Sequence, residues 1–265
     1  MNRSIGLALS GGGTKGLAHA GVLQFLTEQK IQPNYIAGTS AGAIIAALYA
    51  AGKTPVEILD FFKSIYFFNW RHFTFTKAGF IDAEAFKAYF KTIFKDTCIN
   101  ELPIPIYIAA TDLIKGESIV FDGQTKIVDA ILASSAFPGV FSPYEFEGNL
   151  YSDGGILNHF PTDLLPESSH FNIGVYVSPI QQITPNSLKS IKAVTARSFD
   201  LLFGNSSAHK FSNCHWVIQP DALTRYGTFE TNKTKMDEIY EIGYAESKKS
   251  FALLENNLKT HFQNK

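Results

Sequence analysis

The stretch Gly38-Thr39-Ser40-Ala41-Gly42 lies between a short apolar run, Tyr35-Ile36-Ala37, and a helix-forming run from Ala43 to Ala51. A strand that ends in a sharp turn and passes straight into a helix leaves the central serine hydroxyl at the tip of the turn. That is the layout of a nucleophile elbow. Glycines flank the serine because a side chain at either place collides with the neighbouring strand and helix. A chain of this length shows roughly 0.1 such matches by chance. The surroundings therefore carry the decision.

Upstream, Ser4–Leu9 reads as a strand and Lys15–Gln29 as a helix, joined by Ser10-Gly11-Gly12-Gly13-Thr14-Lys15-Gly16. A glycine-rich strand-to-helix turn presents backbone N–H groups to negative charge. A Walker P-loop is excluded because Leu17, not Lys, follows Gly16. Gly11, Gly13 and Gly16 match the letters of a dinucleotide fingerprint, but the second strand ends in the elbow and not in the acidic residue that fingerprint needs. The third reading is an oxyanion hole: two adjacent strands place the turn beside Ser40, with the N–H groups of Gly12 and Gly13 facing a developing oxyanion. Lys15 either adds positive charge there, in reach of a substrate phosphate, or is a solvated lysine of the first turn.

Ser40 needs a base. In an ordinary α/β-hydrolase the elbow follows several strands, and an Asp and then a His come later; here it already sits on the second strand. The alternative base lies in Tyr151-Ser152-Asp153-Gly154-Gly155, an aspartate heading a glycine pair in apolar surroundings. A free Asp, with a pKa of about 3.9, is a poor base in water. It becomes serviceable where water is excluded. A Ser–His–Asp triad through His159 stays open beside this dyad.

Gly11–Gly16, Gly38–Gly42 and Asp153-Gly154-Gly155, in this order, resemble the three blocks of the patatin-like phospholipase family. Ala133–Pro143 (ASSAFPGVFSP) resembles a further block, and Asp153–Pro161 (DGGILNHFP) is similar to the family's D-G-G/A followed by Asn and Pro. The resemblance spans residues 5 to about 165, with a weaker likeness around Ile242-Gly243-Tyr244-Ala245. It implies a single-domain member of bacterial type over residues 1–265, folded as a three-layer α/β/α sandwich with a mostly parallel sheet. It implies Ser40 as nucleophile, Asp153 as base and Gly11, Gly12 and Gly13 as oxyanion hole. Lys15, Gly16, Gly38, Gly42, Gly154 and Gly155 support the motifs. No metal or cofactor is required. The implied substrate is a phospholipid or another fatty-acyl ester. His159 stands where related sequences usually carry Asn. General carboxylesterase or thioesterase activity, and acyl-lipid binding without catalysis, are the alternatives.

The remaining features fit such a protein. With 23 basic and 24 acidic residues, nothing points to nucleic acid. Cys98 and Cys214 form no C-x-x-C pair, so neither a disulfide framework nor a zinc site is predicted, and a cytoplasmic protein, peripheral at a membrane at most, is expected. The N-terminus lacks the apolar length of a signal peptide. Pro33–Gly52, 20 residues without a charge, reads as strand, elbow and buried helix rather than a membrane span. Thr54-Pro55-Val56-Glu57 is a capping box opening a helix towards Ile65. Asp82 is expected to cap another helix. Strands are predicted at Ile104–Ala110, Ser118–Phe121, Asn172–Val177 and Trp216–Gln219. Helices are predicted at Ile127–Ser134, from Pro185 to about Ala208, and at Met236–Leu258. The aromatic segment Ile65–Ile81 is either a lipid-touching flap or core filling; without clean amphipathic spacing the second reading is preferred. Phe199–Phe203 is a second candidate for a pocket wall.

Overall fold

The computed structural model describes residues 4–64 and 86–254. The expected flap at 65–81 and the Asp82 cap lie outside them. At the centre is an eight-stranded sheet. Its strands are β1 (Ile5–Leu9), β2 (Tyr35–Thr39), β3 (Ile106–Asp112), β4 (Glu117–Val120), β5 (Tyr144–Phe146), β6 (Asn149–Asp153), β7 (Phe171–Val175) and β8 (Trp216–Ile218). Pairing runs β5-β6-β3-β2-β1-β7-β8, with β4 also on β3. β3, β2, β1, β7 and β8 are parallel neighbours; β4, β5 and β6 enter antiparallel.

The helices among the described residues are α1 (Leu17–Glu28), α2 (Ala41–Ala50), α3 (Pro55–Ser64), α4 (Lys87–Phe94), α5 (Ile127–Ser134), α6 (Gly155–Asn158), α7 (Ile191–Ser207) and α8 (Lys233–Leu253). Alternation along β1 divides the interior between the two faces of the sheet. Leu7 and Leu9 join the larger core with Leu17, Leu23 and Leu26 of α1. Ala8, with Ala37 of β2, joins a smaller cluster containing Phe160, Leu165 and Tyr176. The result is the three-layer α/β/α arrangement.

Local chemistry sets several boundaries. The Thr54–Glu57 box is present: the Thr54 N–H donates to Glu57 Oε2 at 2.8 Å and the Glu57 N–H donates to Thr54 Oγ1 at 3.2 Å. The helix predicted from Pro185 is corrected. Pro185–Ser187 forms only a 3-10 turn, and α7 begins at Ile191, where Ser190 Oγ accepts the Ala193 N–H at 3.1 Å. A proline is compatible with the start of a helix, but a serine cap satisfies an N–H that otherwise has no partner. The β5–β6 hairpin was not predicted. It turns at Glu147 and Gly148, both at positive φ, without the Asn-Gly or Asp-Gly pair that signals such turns.

Candidate active site

Ser40 is the hinge between β2 and α2. Its φ of 54° and ψ of −122° lie where non-glycine residues are strained, as an elbow requires. A Cβ on Gly42 would collide with the Leu9 carbonyl oxygen on the neighbouring strand, so glycine is needed for the close approach. Three bonds hold the strained turn. The Ser40 N–H donates to Ser134 Oγ at 2.9 Å, the Ile44 N–H donates to the Ser40 carbonyl at 3.1 Å, and Thr39 Oγ1 donates to the Asn158 carbonyl at 2.7 Å.

The sheet brings Asp153 to this turn by an end-to-end junction. β4 occupies one edge of β3 from Ala109 to Asp112. The other edge is shared: β2 runs parallel to β3 and ends with Thr39 opposite Ala109, and β6 runs antiparallel and ends with Asp153 opposite Ala110. Two strands travelling towards each other thus stop at successive residues of the same neighbour. Ser40 Oγ donates to Asp153 Oδ2 at 2.6 Å.

Asp153 is 2% exposed. Its Oδ1 accepts the Gly155 N–H at 2.7 Å, its own N–H donates to the Ala136 carbonyl at 3.0 Å, and its carbonyl accepts Thr111 Oγ1 at 2.9 Å. Burial pushes the carboxyl up to about 6, against the opposing hydrogen bonds from Ser40 and Gly155. A carboxylate of that strength is ionised near neutrality yet basic enough to take a proton from a serine under attack.

The glycine turn lies alongside. The Gly11 N–H, expected as an oxyanion donor, donates to the His159 carbonyl at 3.0 Å. Among the described residues no backbone acceptor takes the N–H of Gly12 or Gly13. Gly13 has φ +56°, and a Cβ there would collide with the Thr228 carbonyl oxygen. Lys15 is not the solvated lysine of one reading; it is 6% exposed. Burial holds its pKa below the ordinary lysine value, and the charge of Asp200 on α7 partly offsets this.

His159 is buried, with its ring stacked on Phe203 at 4.5 Å and an interplanar angle of 2°. Neither ring nitrogen makes a hydrogen bond within the described residues, so no Ser–His–Asp relay is assembled there. Burial, then the charges of Lys15 and His19, push His159 down to about 3, so the ring is neutral at ordinary pH. Phe203 also meets Phe137 and Phe199, and Phe137 meets Phe229, giving an aromatic wall next to the dyad. Among the described residues, no group of three or more His, Cys, Asp or Glu is placed to hold a metal ion. No helix there is long and apolar enough to cross a membrane.

Residues 7–166 match the family model described as patatin-like phospholipase. The chain belongs to the patatin-like phospholipase family. An uncharacterised NTE family protein of Mycobacterium tuberculosis is 38% identical over 160 residues, covering 59% of this chain and 44% of the relative. Lysophospholipase nte1 of Aspergillus fumigatus is 28% identical over 92% of this chain and 18% of its own length. The chain thus spans less than half the length of these relatives. The crystal structure of VipD from Legionella pneumophila shares the fold with a TM-score of 0.60 at 15% identity, over 96% of this chain and 67% of that one. The patatin-like match takes in the glycine turn, the elbow and the Asp153 block, and leaves α7, β8 and α8 beyond it.

One member of the site has no motif role assigned from sequence: Ser134, the last residue of α5. Its hydroxyl accepts from Ser40 N–H and donates to the Ala109 carbonyl at 2.7 Å. It lies within the Ala133–Pro143 block, but a serine at a helix end has no signature that separates a brace from an ordinary helix terminus.

Proposed function

We propose that the protein hydrolyses fatty-acyl esters of phospholipids or lysophospholipids through an acyl-enzyme intermediate, with Ser40 as nucleophile and Asp153 as general base. The observation that carries this reading is the 2.6 Å Ser40–Asp153 hydrogen bond, made by a carboxylate that burial has strengthened as a base.

As Ser40 Oγ attacks the ester carbonyl carbon, its proton passes to Asp153. The carbonyl oxygen becomes an oxyanion facing the N–H groups of Gly12 and Gly13. Asp153 then returns the proton to the departing alcohol oxygen, leaving the acyl group on Ser40. Water attacks the acyl-serine, again giving up a proton to Asp153, and the fatty acid leaves as Ser40 recovers its hydrogen. Phe137, Phe199 and Phe203 offer an apolar wall to the acyl chain. Family membership and the lysophospholipase named among the relatives favour a lipid ester over other acyl esters.

The test is labelling of Ser40 by a fluorophosphonate probe, followed by a panel of phospholipids, lysophospholipids and p-nitrophenyl esters of increasing chain length. Ser40→Ala and Asp153→Asn should each reduce turnover by about 10³ or more. Retained ester hydrolysis in Ser40→Ala would end the mechanism. Hydrolysis confined to short water-soluble esters would make the protein a general carboxylesterase.

A further inference from the structure

Among the described residues, twelve large apolar side chains are exposed, and six of them lie between 180 and 202: Ile180, Leu188, Ile191, Val194, Leu201 and Leu202. This is a concentration rather than a scatter, and α7 carries most of it. At about 100° per residue, Ile191, Val194, Leu201 and Leu202 fall within an arc of about 100° on one helix face. Ile191 is 89% exposed and Leu202 is 63% exposed. Phe203 lies on the opposite face and Phe199 on the flank between; both rings meet Phe137, and Phe203 stacks on His159 beside the dyad. One helix therefore presents an apolar face to solvent and an aromatic face to the active site.

The charges are arranged to match. Residues 188–199 contain Lys189, Lys192 and Arg197 and no acid. The single acid of α7, Asp200, is turned inwards, where it interacts with Lys15. An apolar stripe with Lys189 and Arg197 near it suits a surface of acyl chains beneath anionic headgroups.

We infer that the outward face of α7 is the surface on which this protein docks to an anionic phospholipid bilayer, holding the aromatic wall of the active site against the lipid. This rests on the lipid-hydrolase reading and assigns membrane contact to a helix, outside the aromatic segment at 65–81. Docking places four aliphatic side chains in the acyl boundary and Lys189 at the headgroups, with Arg197, whose guanidinium donates to the Gln181 carbonyl at 2.9 Å, near the stripe. No change at the dyad is needed for binding.

The experiment uses the full chain carrying Ser40→Ala, so that vesicles survive, in sedimentation with phosphatidylcholine vesicles with and without phosphatidylglycerol. The expected result is binding that phosphatidylglycerol strengthens and salt weakens. Replacing Ile191, Val194, Leu201 and Leu202 together by serine should weaken it by about tenfold or more. With Ser40 intact, the same four replacements should leave p-nitrophenyl butyrate hydrolysis within about twofold and the Tm unchanged, because all four side chains are exposed. Of the expected wall Phe199–Phe203, only Phe199 and Phe203 meet Phe137, while Leu201 and Leu202 face solvent. Unchanged vesicle binding in the quadruple variant overturns the inference. So does a marked fall in its Tm, which would mean that protein already covers the stripe, or the conversion of a dimer to a monomer, which would make a second copy the occupant. A wild-type protein that binds vesicles but hydrolyses no ester would defeat the hydrolase reading and leave the docking surface standing.

Discussion

Ser134 Oγ accepts the backbone N–H of Ser40 at 2.9 Å, so the residue that closes α5 fixes the strained turn carrying the proposed nucleophile. Removing the hydroxyl strands a buried N–H, at a cost of about 1–3 kcal/mol. Ser134→Ala should lower stability by that amount in denaturant titration. Because the brace orients Ser40 without touching substrate, kcat should fall about tenfold or more while KM changes little. Partial rescue by Ser134→Thr, which restores the hydroxyl, would separate positioning from simple loss of packing.

The pH dependence follows from Asp153. With its carboxyl at about 6, the site holds the base protonated in acid and ionised above neutrality. The rate kcat/KM on a soluble ester should rise about tenfold per pH unit below that value and level off above it. A profile flat from pH 4 to 8 would mean that a different group accepts the proton.

The same shift affects folding. A carboxyl whose pKa is higher folded than unfolded contributes stability that is fully present below the unfolded value, near 3.8, and is lost as pH rises through about 6. At pH 8 the buried charge therefore destabilises the protein by about 3 kcal/mol. Asp153→Asn should raise the Tm at pH 8 by several degrees while abolishing turnover, and the gain should shrink towards pH 4. Equal Tm values for the two proteins at both pH values would show that the carboxyl is not strained by burial.

His159 separates dyad from triad. Its ring stacks on Phe203 and makes no hydrogen bond with Ser40 or Asp153 within the described structure. His159→Ala should lower stability by about 2–4 kcal/mol through the cavity it leaves. It should keep at least about a tenth of the activity, with the acid limb of the pH profile unmoved. Loss of activity by about 10⁴, as for a missing triad member, would reverse the assignment.

Much of this site is legible in the sequence. The glycine turn, the elbow and Asp153-Gly154-Gly155 announce themselves because backbone geometry at each place admits few residue types. The alternation of apolar strands and helices gave the α/β layers for a similar reason. Glu147-Gly148 did not announce the β5–β6 hairpin, since a turn formed by Glu and Gly lacks the usual signal and its strands are short. The helix expected from Pro185 opens at Ile191 instead, because a proline that suits a helix start does not itself make one, whereas Ser190 caps the Ala193 N–H. The Gly11 N–H looked free because its acceptor, His159, lies far along the chain. Non-local contacts of this kind leave no mark in a local pattern.

The junction of β2 and β6 on β3 has a temporal meaning. Ser40 and Asp153 are 113 positions apart, and the aspartate arrives on the closing strand of a hairpin. A nascent chain that has folded the elbow but not yet received that hairpin carries an ordinary alcohol with no proton acceptor. Under the proposed chemistry, lipid cleavage begins only when β6 has joined β3 and abuts the end of β2. A chain that ends short of β6 therefore has the serine of the elbow and none of its chemistry.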